Sequence, residues 1–256
     1  MRWILLLFLI TIAGLSFSEV KYLNEYPFKA GEKLFYRVYM LGMHLGYGDI
    51  VFCGKTNYNG SEQYYGRSSI YSTKSLSNIY KLWDRELNIF DKNYITSYYE
   101  KWINEGSWID NMKYQFYLNE HIIKNYNETT DWKEKIINAD GVEVLTYYTL
   151  FPFLMSIDYE YYLKKGETIP IYILHNDDVV KMNFAVSVKK NVYFDKNKIN
   201  VYYFKETSNF GIEGYVTMDD KRLLIRLLMP PLGILGKMKF ELIRYNEQSY
   251  DYSKEN

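Results

Sequence analysis

The chain has 256 residues, with 31 Lys and Arg set against 31 Asp and Glu, for a formal net charge of zero. A near-neutral chain argues against nucleic acid as the main partner. Cys53 is the single cysteine, which excludes an intramolecular disulfide and leaves core and sheet to hold the fold.

Met1-Arg2-Trp3 supplies a positive start, and Ile4–Leu15 is an apolar run too short for a comfortable membrane span. Ser16-Phe17-Ser18 fits a small-x-small cleavage site. Residues 1–18 therefore read as a signal peptide cut before Glu19, with an uncleaved anchor as the alternative. The address implied is the periplasm, with no transmembrane span once the segment is removed.

The mature chain opens on a turn at Pro27–Glu32. From Leu34 to Met40 apolar and polar residues alternate with period two, the signature of a strand. Gly42 allows a reversal into a second strand, Leu45–Cys53. Gly46 and Gly48 share one of its faces, which suits a bulge or bend, or the close approach of a ligand. Residues 54–60 read as a turn-rich loop with a hairpin signal at Asn59-Gly60. A strand at Gln63–Tyr71 and a short helix at Ser75–Tyr80 follow.

Leu82–Phe90 is the densest mixture of charge and aromatic residues. As a strand it places Trp83, Arg85, Leu87 and Ile89 on one face and Asp84, Glu86, Asn88 and Phe90 on the other. Among apolar neighbours, Arg85 calls for its head to reach water or a partner, a carboxylate or an anionic ligand. Strands at Tyr94–Ile103, Trp108–Leu118 and His121–Tyr126 continue the rhythm, and residues 127–142 break it. Val144–Met155 is apolar without alternation and reads as a helix packed on the sheet, kinked or interrupted at Pro152.

Further strands are expected at Ile169–His175, Val179–Lys189, Ile199–Lys205, Ile212–Met218, Arg222–Leu228 and Leu232–Arg244, ahead of a disordered polar tail at 246–256. The fold class is thus all-β and mainly antiparallel: a strongly curled sheet or open barrel with one short apolar helix on it, in a single domain over 19–245.

The chemistry is sparse. His44, His121 and His175 lack partners at metal-ligand spacing, and no nucleophile elbow, phosphate loop or dinucleotide fingerprint occurs. No cofactor, metal or catalytic residue is assigned. Asp84/Glu86 and Asp219/Asp220 are carboxylate pairs, a pattern more often solvated or cation-paired than catalytic. With 29 tyrosines and 14 phenylalanines, large half-wet sheet faces are expected. Tyr36, Trp83, Arg85, Leu87, Tyr147 and Phe151 are the candidate ligand-binding residues.

Several stretches together resemble a bacterial exported-protein family known as domain of unknown function 3108. They are Phe28–Tyr36, Leu41-Gly42 to Gly46, Trp83–Glu86, Glu105-Gly106, and Gly214–Val216 through Asp219–Arg222 to Gly236. The likeness covers most of the mature chain, and Leu223-Leu224-Ile225 departs from it where members often carry proline. It implies a β-rich envelope protein and no known activity. The leading expectation is a non-catalytic binder or carrier of an apolar, lipid-like envelope ligand, since curled sheets hold ligands on their inner face. An envelope scaffolding protein using strand edges is the alternative. A hydrolase or an outer-membrane barrel is less favoured.

Overall fold

The computed structural model describes residues 20–23, 28–78, 81–127, 135–139, 142–175, 177–194, 197–208, 210–231, 237–246 and 248–249. The expected signal segment, Pro27 and most of the polar tail lie outside them; the expected turn ahead of the first strand is present, with Glu32 N donating to Lys29 O at 3.1 Å. Eight strands form a first antiparallel meander: β1 (Lys33–Met40), β2 (Met43–Tyr58), β3 (Ser61–Ser72), β4 (Trp83–Phe90), β5 (Thr96–Glu105), β6 (Trp108–Tyr117), β7 (Ile122–Asn127) and β8 (Lys135–Asn138). A second meander follows a short β9 (Val144–Leu145). It comprises β10 (Ile169–His175), β11 (Asp178–Phe194), β12 (Asn197–Glu206), β13 (Glu213–Thr217), β14 (Leu224–Pro231) and β15 (Lys237–Tyr245).

β1 pairs with β15, which joins the meanders into one sheet of 16 strands with β8 and β9 at its edges. The pairing is antiparallel except for β9 on β10. β16 (Gln248–Ser249) folds back on β15, so the expected tail begins as a hairpin.

The sheet curls but does not close by backbone hydrogen bonds. Side chains fill the seam instead. Ile123 and Ile137 pack with Val144 and Leu174. Tyr114 Oη (2.9 Å) and Asn125 Nδ2 (2.8 Å) both donate to Asp177 Oδ1, on the turn between β10 and β11.

Three short α-helices occur among the described residues: α1 (Lys74–Ser77), where a short helix is expected, α2 (Tyr147–Ser156), the apolar one, and α3 (Tyr159–Lys165), which the sequence reading lacks. The expected apolar helix starts later than its apolar run, because Val144–Leu145 is taken up as β9. Thr146 caps α2 through a reciprocal capping box with Thr149, and the helix runs through Pro152 to Ser156. Nine of its ten residues are buried, so α2 is the filling of the curl. Tyr148 Oη donates to Val51 O of β2 at 3.1 Å. Phe151 meets Tyr36 of β1 and Phe240 of β15 edge-on at 5.9 and 6.3 Å.

The loop expected at 54–60 is mostly strand. β2 runs on to Tyr58 past a register shift between Phe52 and Gly54, and Asn59-Gly60 make a two-residue turn with positive φ at both positions, as that dipeptide favours. Gly46 faces the close approach of β3, since a Cβ there would stand 1.9 Å from Tyr71 O. That approach, beside the register shift between Val38 and Tyr39, uses the space the glycine leaves.

Candidate functional site

β4 sets the chemistry of the inner face. Its alternation is as expected, but the inward side is the polar one: Asp84, Asn88 and Phe90 are buried, while Trp83 and Arg85 are exposed. The curl accepts these polar groups because strands and helix bring them partners. Asn88 Oδ1 accepts from Thr146 Oγ1, the α2 cap, at 2.6 Å. Glu86 accepts from Tyr99 Oη (2.8 Å) and Ser68 Oγ (3.1 Å). Each of these bonds compensates burial of a polar group that would otherwise cost a few kcal/mol.

The sheet register extends this row. Asn88 pairs with Tyr99, Tyr99 with Tyr114 and Tyr114 with Asn125, and the two tyrosine rings stack at 5.4 Å. Burial, helped by the Glu86 carboxylate, pushes the Tyr99 hydroxyl well above its ordinary range, so it acts as a donor. Across the seam, Tyr147 Oη and His175 Nδ1 share a hydrogen bond of 2.7 Å. Burial and then Glu86 push Tyr147 up to about 12. On this row the buried amide atoms Asn88 Nδ2 and Asn125 Oδ1 have no hydrogen-bond partner among the described residues.

Asp84 lies one step nearer the strand end. Its Oδ1 accepts from Asn104 N at 3.0 Å. Burial first, and then a side-chain hydrogen bond with Glu105, raise its carboxyl from 3.8 to about 7. The folded chain therefore holds this proton more tightly than the unfolded chain. This group's contribution is fully present below its unfolded value and falls as pH rises from about 4 to 7. Asp84→Asn keeps the acceptor and removes the charge. The melting temperature of the variant relative to the parent is expected to rise between pH 5 and pH 8. A difference constant across that interval would discount Asp84 as the titrating group.

The sequence-derived ligand residues do not form one site. Tyr36 and Phe151 are core, with Tyr36 Oη donating to Leu224 O at 2.9 Å. Tyr147 lies on the inner polar row. Trp83, Arg85 and Leu87 are on the opposite face of the sheet. Of the alternatives for Arg85, the head in water is the one seen: the residue is exposed, with its guanidinium over the rings of Trp83 and Trp102 at 5.2 and 5.5 Å. Arg85→Met is expected to change the unfolding free energy by no more than about 0.5 kcal/mol, as for an ordinary surface position. Urea denaturation checks this, and a loss of 3–5 kcal/mol, that of a broken buried ion pair, would contradict it.

Glu86, Tyr99, Asp177 and the Tyr147–His175 pair were missed as a group. They lie on separate strands, a helix and a turn, and only the Asp84/Glu86 spacing was visible locally. Among the described residues no three His, Cys, Asp or Glu converge as metal ligands. Cys53 is half-buried, and burial raises its thiol pKa, which disfavours the nucleophilic thiolate. The arrangement is an internally hydrogen-bonded polar row set beside apolar surface.

No family model matches the chain, and no curated protein matches it. Among solved structures it is similar to a β-barrel-like protein of domain of unknown function DUF1849 from Brucella abortus. The TM-score is 0.55 at 10% identity, over 91% of this chain and 100% of that chain. Likeness at that identity speaks for the fold alone, and the chain has a β-barrel-like fold built as an open, curled sheet.

Proposed function

We propose that this is an exported cell-envelope protein that binds an amphiphile, non-catalytically, at one end of its curl. The exported reading follows the N-terminal segment and the motifs shared with domain of unknown function 3108. The observation that carries the binding reading is the composition of the inner face beyond α2. There the sheet keeps half-buried apolar side chains, Ile70, Met112, Met229 and Phe240, next to half-buried Ser68, Glu86 and Lys101. The register places Ser68 opposite Glu86, Glu86 opposite Lys101, and Lys101 opposite Met112, so polar and apolar groups share one surface. Methionine adapts to irregular apolar chains, and the polar row suits a headgroup. α2 fills the interior beside this surface, so a through-channel is not part of this reading.

Mass spectrometry of the natively purified protein is expected to show a bound lipid-like species. Phe240→Glu, which places a carboxylate on the apolar side, is expected to abolish its retention. A parent protein that carries nothing and takes up no fluorescent acyl probe would overturn the reading.

A further inference from the structure

The turns β1–β2, β3–β4 and β5–β6 lie at the same end of the sheet, and backbone hydrogen bonds tie them into one rim. Thr73 N donates to Leu45 O (2.8 Å), Ser72 N to Leu82 O (2.9 Å) and Gly106 N to Lys81 O (2.7 Å). This rim carries large apolar side chains in the open. Leu41 is 67% exposed, Met43 61%, Trp83 48%, Trp108 51% and Ile109 63%. At the other end, the turns Asn59-Gly60 and Lys92-Asn93 are polar, and the exposed Leu118, Tyr193 and Met218 are apart from one another, Leu118 and Met218 on separate turns and Tyr193 at the end of β11.

The same rim is basic. Lys74, Lys81 and Arg85 are exposed, and none has an ion-pair partner among the described residues. Of the acids on these strand ends, Asp84 and Glu105 are hydrogen-bonded to each other, and Asp110 accepts from Asn111 N and Asn127 Nδ2. Lys81 and Arg85 both stand over the Trp83 ring, at 5.8 and 5.2 Å, which holds the cations beside the indole. Contiguous exposed apolar residues mark an interaction surface. Tryptophan with lysine and arginine around it suits the headgroup level of a bilayer, where rings sit half-wet and cations meet anionic lipid.

We propose that this rim docks on a bilayer surface rich in anionic lipid, with Leu41, Met43, Trp108 and Ile109 entering the interface and Lys81 and Arg85 against the headgroups. This goes beyond the interior ligand site and does not depend on it, because the occupant is the membrane surface itself.

Hydrogen exchange of the whole protein with and without vesicles tests the inference. With phosphatidylglycerol-containing vesicles, exchange is expected to slow at 40–46 and 104–110 and to stay unchanged at 57–62 and 90–95. The comparison is between segments of one molecule, so an N-terminal segment, retained or cleaved, does not enter it. Trp108→Ser/Ile109→Ser is expected to lose the protection at 104–110. Lys81→Gln/Arg85→Gln is expected to weaken partitioning by about fivefold per removed cation while melting as the parent does. Unchanged exchange at the rim, equal slowing at both ends, equal binding to phosphatidylcholine vesicles, or a charge variant that partitions like the parent would each overturn it.

Discussion

Leu150→Ala is expected to lower the unfolding free energy by about 2–5 kcal/mol, the range for a large-to-small change in a tightly packed core. Leu150 is fully buried in α2, and its neighbours along the helix are buried as well. A helix on a protein surface can shift to fill part of the space a lost side chain leaves. α2 is held from several directions at once: by Val51 of β2 through Tyr148, by Tyr36 and Phe240 through Phe151, and by Asn88 through its cap. Collapse around the missing atoms is therefore limited and the cost belongs to the upper part of that range. Urea denaturation with an unchanged slope would report it as a change in stability. Val188→Ala, at an exposed strand position, is the control and should stay within about 0.5 kcal/mol. A Leu150 variant as benign as the control would mean that α2 is not the interior filling.

Gly66→Ala is the second large effect. Its methyl would stand 1.7 Å from Tyr148 Oη, 2.5 Å from its Cζ and 2.9 Å from Val51 O. The Tyr148 ring is fully buried with Phe52 and Phe90 beside it at 6.5 and 6.0 Å, so it has little room to retreat. Overpacking of this kind costs about 1–3 kcal/mol and sometimes more. Tyr148→Phe removes the closest atom and alone costs about 1 kcal/mol for the lost hydrogen bond. Combined with Gly66→Ala it should relieve part of the strain, with a coupling of about 0.5–3 kcal/mol. Strict additivity in the double variant would sink the explanation.

Much of this fold is legible in the sequence. Period-two alternation marks most of the strands, and Asn59-Gly60 marks its hairpin. The limits of β2 are harder to read, because a bulge at Gly54 breaks the rhythm without ending the strand. α3 left local signs, an Asp158 cap and Gly166 in the left-handed region, which its run of tyrosines obscured. On β4 the pairing of faces is readable but the inward side is not. Apolar residues are the usual inward guess, and here the polar face is buried because Thr146, Tyr99 and Ser68 satisfy it. Thr146 is 58 positions from Asn88, and no local pattern carries that information. The Tyr147–His175 pair, 28 positions apart, was hidden for the same reason.

The joining of the two meanders through β1 and β15 also sets an order of events for the newly made chain. Hairpins within each meander close over short loops and can form as soon as their residues are available. The β1·β15 ladder, which aligns Leu34 with Tyr245, must wait until almost the whole chain has emerged. Until then β1 presents an open edge of unpaired backbone groups and apolar side chains, the kind of edge on which chains aggregate. The half-made protein is thus most vulnerable at its first strand, and it is the last long strand to arrive that ends the exposure.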